Sequence, residues 1–115
     1  MVSRRDESRI ATARRQLVAL LSEDGTHLLP GGVLDRMMRC GKPNCRCGAD
    51  PAELHGPYHQ WNYSKGRRRY TRRLSDAQLD RYGPEIERGR RLMELLTELD
   101  DAEVRRVERA EGWGA

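Results

Sequence analysis

Cys40-Gly41-Lys42-Pro43-Asn44-Cys45-Arg46-Cys47, with His55 eight positions further on, holds every cysteine of the chain. Three thiols and one imidazole make the complete ligand set of a closed Cys3His zinc site. A closed site leaves no coordination position for water or substrate, so this stretch speaks first to folding. Gly41 relieves the backbone just after the first ligand. Pro43-Asn44 is a turn dipeptide that brings Cys40 back beside Cys45. Cys45 and Cys47, two apart, reach one ion from an irregular turn, and Lys42 and Arg46 offset the charge of bound thiolates. The spacing Cys-x4-Cys-x-Cys-x7-His differs from ribbons built on paired CxxC motifs. A disulfide would strand one thiol. The charged N-terminus (Arg4, Arg5, Asp6, Glu7) lacks an apolar signal core, which points to an intracellular, cytoplasmic protein. His59 is the alternative fourth ligand, and iron the alternative metal.

Composition agrees with a metal-stapled fold. Only 37% of the 115 residues are hydrophobic, 35% are charged and phenylalanine is absent. One domain, residues 1–115, is expected, with a small core that a structural metal would reinforce. No apolar run approaches the ~20 residues of a membrane span. The net charge is +4, yet residues 31–75 carry ten basic side chains against Asp35, Asp50 and Glu53. A basic centre between acidic arms points to a polyanion partner.

Outward from the cysteines, residues 3–22 read as a helix, with Ile10, Ala13, Leu17, Leu20 and Leu21 on one stripe and Asp24-Gly25 ending it. Val33 to Arg39, between Pro30-Gly31-Gly32 and the metal turn, reads as a short strand. Residues 57–74 read as a hairpin rich in aromatic and β-branched residues, turning at Lys65-Gly66. A two-residue turn there pairs Ser64 with Arg67, Asn62 with Arg69 and Trp61 with Tyr70. One face then carries His59, Trp61, Tyr63, Arg68, Tyr70 and Arg72, and should pack inward against the flanking helices. The other carries Tyr58, Gln60, Asn62, Arg67, Arg69, Thr71 and Arg73, and should face a partner. Ser75-Asp76-Ala77-Gln78 is a capping box. It opens a short helix to about Tyr82, which Gly83-Pro84 separates from a second helix reaching about 110. Ile86, Met93, Leu96 and Leu99 form the stripe of that second helix, widened by Leu92 and Leu95. The stripe should pack antiparallel on the N-terminal helix or on a second chain. The fold class is α+β: a small antiparallel sheet of about three strands, stapled by the Cys3His zinc knuckle, between an N-terminal helix and a long C-terminal helix.

Residues 39–47, then His55-Gly56-Pro57-Tyr58, then a hairpin and a charged helix, resemble a family of small prokaryotic proteins of unknown function. Its hallmark is CGKxxCxC followed by HGPY. The resemblance covers about residues 28–100 and implies that Cys40, Cys45, Cys47 and His55 are the shared site. It also implies an association with mobile elements, in some members as accessory proteins of transposases.

The leading function is nucleic-acid binding, with double-stranded DNA ahead of RNA. A two-stranded ribbon fits the major groove, where arginine reads guanine and Gln or Asn reads adenine. Gln60, Asn62, Arg67, Arg69 and Arg73 line the expected contact face, with Lys65, Lys42 and Arg46 gripping phosphates. The alternative is a zinc-stabilised interaction module whose C-terminal helix recruits a transposase, a recombinase or a second copy. An enzyme is disfavoured: a closed knuckle has no open position, and neither a phosphate loop nor a nucleophile elbow is present.

Overall fold

The computed structural model describes residues 3–49 and 53–114. Asp50, one of the three acids counted above, lies outside them. The element order is α1 (Arg4–Leu21), β1 (Gly32–Met38), a single 3-10 turn (Arg46–Gly48), β2 (His55–Lys65), β3 (Arg68–Leu74) and α2 (Asp76–Glu111). The fold is therefore α+β, with one antiparallel sheet in the order β1-β2-β3. The chain gathers into two compact units. One comprises Met1–Leu28 with Arg88–Ala115, the other Leu29–Glu87.

The first unit is helical. Its buried positions on α1 are Asp6, Ile10, Ala13 and Leu17, at the spacing of a single helical stripe. On α2, Leu95 and Ala102 are buried and Leu92 and Leu99 half-buried. Arg109 pairs with Asp6, Arg9 with Asp101, and Arg88 donates to the Leu20 carbonyl, so the two helices run antiparallel. The expected stripe is rotated: Met93 is 60% exposed and Leu96 37%, while Leu92, Leu95, Leu99 and Ala102 turn toward α1. Leucines and methionines occupy more of α2 than one neighbouring helix covers, so periodicity alone does not choose between adjacent faces.

The second unit is the sheet, the cysteine turn and the start of α2. Ser75 and Gln78 close the capping box, each side chain accepting from the other residue's backbone N–H at 3.1 and 2.8 Å. The expected break at Gly83-Pro84 does not occur, and α2 runs on through Pro84. The proline ring crowds the Cβ of the residue before it, and Gly83 has none. The helix then forfeits one hydrogen bond, while Ile86, 3% exposed, anchors the turn beyond the proline.

Two further expectations change. The hairpin turn is Gly66-Arg67, not Lys65-Gly66, and Lys65 pairs with Arg68, Tyr63 with Tyr70 and Trp61 with Arg72. Gly66 has φ +65° and no non-glycine residue among those described has positive φ, as expected with glycine first in a II′ turn. Partners move by two positions, an even step, so each residue keeps its face. The aromatic face is half-buried rather than packed inward. Trp61, Tyr63 and Tyr70 chiefly cover one another, with ring centroids 4.2 and 5.4 Å apart. Its far end carries buried Leu74, beside the start of α2.

Candidate metal centre and basic sheet

The cysteine turn forms as its residues suggest. Lys42 to Cys45 closes a turn, the Cys45 amide donating to the Lys42 carbonyl at 3.3 Å. The 3-10 turn that follows carries Cys47 inward, to 1% exposure. This single tight turn is the irregularity that two cysteines two apart require. His55 arrives from the start of β2, opposite Met38 and just past an irregularity in the β1–β2 ladder.

The four donor atoms of Cys40, Cys45, Cys47 and His55 all lie within 4.8 Å of one another. Cys45 Sγ is 3.0 Å from His55 Nε2, and Cys40 Sγ is 3.5 Å from Cys47 Sγ. A tetrahedral ion with bonds of about 2.0–2.3 Å needs donor separations of roughly 3.3–3.8 Å. The group can therefore close around one metal ion with only small side-chain adjustments. The Cys40 backbone N–H donates to Cys47 Sγ at 3.2 Å. That bond, against the opposing effect of burial and with help from the neighbouring thiols and His55, holds the Cys47 thiol down to about 7. Cys45 differs. The Cys47 amide favours its thiolate, but hydrogen bonds with the Cys40 and Cys47 thiols, together with burial, raise it overall. Such a cluster holds its thiols in unequal protonation until a cation removes the remaining protons.

His59 stands apart from this cluster. Its Nδ1 meets Asp35 Oδ1 at 2.7 Å and its Nε2 meets Asp76 Oδ1 at 3.2 Å. Both ring nitrogens are engaged, so the imidazole joins β1, β2 and the first residue of α2, and His55 is the histidine of the thiol cluster. The Asp35 hydrogen bond, opposed by burial and reinforced by Asp76, raises the His59 pKa above its ordinary 6.5. Sequence spacing did not reveal this bridge, because Asp35 and Asp76 lie on either side of the hairpin.

The basic residues divide between the two units in an informative way. In the helical unit, Arg9, Arg88, Arg91, Arg105, Arg106 and Arg109 each pair with a carboxylate, whereas Arg4, Arg5, Arg14 and Arg15 on α1 have no acidic partner among the described residues. In the sheet unit, Arg36, Arg39, Lys42, Lys65, Arg67, Arg68 and Arg69 make no ion pair or side-chain hydrogen bond among the described residues. Arg46 is the exception, 3.7 Å from Glu53 with both side chains exposed. Arg73 lies over the Tyr58 ring at 3.9 Å.

The predicted contact residues Gln60, Asn62, Arg69 and Arg73 share one open face, joined by Thr71 and, from β1, by Leu34 and Arg36. Asn62 Oδ1 accepts from Gln60 at 2.9 Å and from Thr71 at 2.8 Å. Both lone pairs of that oxygen are used within the sheet. Arg67 sits in the turn, with Lys65 just before it and Arg68 just after. Arg36 was missed because nothing in the β1 sequence shows which face it shares with β2.

No helix among the described residues is long and apolar enough to cross a membrane. No curated protein and no solved structure matches the chain. A family model does match, across residues 7–88, which takes in most of α1, the cysteine turn, the whole sheet and the start of α2. The chain belongs to the family described as a domain of unknown function, DUF6788.

Proposed function

We propose that this chain is a zinc-stapled nucleic-acid-binding protein whose sheet unit meets duplex DNA. The observation that carries the reading is the run of cations without acidic partners at and around the hairpin turn of the sheet unit, whereas the described arginines of α2 in the helical unit have carboxylate partners. Unpaired arginines on a small sheet repel one another and lower stability, whereas a polyanion reverses the sign of that energy. Zinc suits the donor set, since thiolates with one imidazole favour it and the four donors leave no open position. Its part is architectural: Cys40, Cys45, Cys47 and His55 hold the 40–47 turn against the start of β2. Lys42 and Arg46 stand on that turn, and Arg36, Arg69 and Arg73 on the open face.

The test is a titration of metal-replete protein with mixed-sequence duplex DNA at low and moderate salt, with metal assayed on the same sample. We expect one metal per chain and an affinity that falls steeply with salt. One metal with no binding at low salt would remove the nucleic-acid reading.

A second reading has its own support. Val18, Leu21, Met93, Val104 and Trp113 on the helical unit are each more than half exposed. These suit a module that docks on a protein, a transposase in the role that the family resemblance suggests or a second copy.

A further inference from the structure

Beyond Asn62 the hairpin leaves the three-stranded sheet. The last β1–β2 pair is Gly32↔Asn62, yet β2 and β3 stay paired through Tyr63↔Tyr70, Ser64↔Arg69 and Lys65↔Arg68. Three residues per strand at about 3.3 Å each make a two-stranded arm roughly 10 Å long before the turn. Tyr63 and Tyr70 stack across its base, 5.4 Å between centroids and 16° between planes. Four of the next six residues along the arm are cations: Lys65, Arg67, Arg68 and Arg69. Lys65 and Arg68 face one way, Arg69 faces the other, and Arg67 caps the tip. The arm contains no acid.

We propose that this arm enters the major groove of B-form DNA, and that it discriminates duplex DNA from duplex RNA. The inference rests on the nucleic-acid reading above and narrows it to one element and one ligand class. Cations on a single face suit a flat contact with one phosphate strand, whereas cations on both faces suit a slot with a phosphate wall on each side. The B-form major groove is about 12 Å wide and 8.5 Å deep, so it admits the ribbon, and the arm is long enough to reach its floor. The minor groove, about 6 Å wide, is too narrow. The A-form major groove is deep and narrow, closed to side chains. The arm residues also have no internal role to lose: Lys65, Arg67, Arg68 and Arg69 are exposed and make no ion pair or side-chain hydrogen bond among the described residues.

The experiment compares metal-replete wild type with a variant carrying Lys65→Ser, Arg67→Ser, Arg68→Ser and Arg69→Ser. Each is titrated with a mixed-sequence DNA duplex and with the RNA duplex of the same sequence, from about 50 to about 200 mM salt. Metal content and circular dichroism establish that the variant is folded. A charge-keeping variant, Arg67→Lys with Arg68→Lys and Arg69→Lys, serves as rescue. We expect wild type to prefer DNA by at least about tenfold. The serine variant should lose that preference, bind DNA about a hundredfold more weakly at the lower salt, and show a salt slope shallower by about three to four. The lysine variant should keep most of the affinity. Equal wild-type affinity for both duplexes would overturn groove entry and leave the nucleic-acid reading standing. Full DNA affinity in the serine variant would overturn the arm and shift the contact to the open face. No wild-type binding to either duplex would end both.

Discussion

His59 holds two carboxylates with one ring, Asp35 at 2.7 Å on Nδ1 and Asp76 at 3.2 Å on Nε2. Donation from both nitrogens requires the protonated imidazole, so this arrangement selects the cation. The folded-state pKa is raised above 6.5, first by the Asp35 hydrogen bond. A raised pKa means that the bridge contributes stability that is fully present below about 6.5 and lost as pH climbs through the elevated value. Protonation of the thiol cluster pulls the other way, since acid expels a metal. The informative quantity is therefore the difference between wild type and His59→Gln. That difference in denaturant midpoint should shrink steadily as pH rises from mildly acid to mildly alkaline. A difference that does not change with pH would refute the charged bridge. Cys47 shows another side of the same local logic: 1% exposure combined with an amide donor makes its thiol ready to become a ligand.

Glycine positions distinguish elements that are tightly built from those that are merely turned. Gly31 has φ +87°, and a Cβ there would lie 2.0 Å from the Asn62 carbonyl oxygen. Gly25 has a similar φ of +71° but open space around it. Gly31→Ala should therefore cost both the left-handed penalty and a backbone displacement where the sheet edge closes, at least about 3 kcal/mol together. Gly25→Ala should cost only the penalty, about 1–2 kcal/mol. Chemical denaturation of the two variants measures the contrast, and equal losses would show that the approach of Gly31 to β2 is not tight. Helix α2 teaches a related lesson. Its capping box was readable as four letters, while its passage through Pro84 depended on Gly83 having no side chain and on Ile86 finding a buried place.

The two units are held together by different means. The helical unit buries aliphatic side chains and Asp6, whose partner Arg109 is exposed, whereas the described residues of the sheet unit include few buried ones, chiefly Cys47, Leu74 and Ile86. Metal affinity is folding free energy where the core is this small. A strong chelator, or Cys45→Ser, should thus unfold the sheet unit while the antiparallel helix pair persists. Hydrogen exchange would then show lost protection in β1, β2 and β3 with protection retained around Leu17 and Leu95. Uniform loss across both units, or no loss in the sheet, would each contradict a local staple.

Cysteine spacing, the capping box, the glycine turn signals and the alternation of the hairpin are local codes, and each is readable because neighbouring residues suffice to express it. They determine the α+β class, the four residues that cluster as a candidate metal site, three strands between two helices and the faces of the hairpin, even where its turn is displaced by one residue. Other features depend on residues distant in sequence meeting in space. Tertiary structure decided that His55 rather than His59 joins the thiols, because His59 finds Asp35 and Asp76. It decided which α2 stripe is covered, because only one neighbouring helix is there to cover it. It also decided that Asn62 is occupied by Gln60 and Thr71, and that the hairpin outruns β1 to leave four cations on a free arm. Strand length is written in the sequence; where a partner strand stops is set by the pairing of two segments some thirty residues apart.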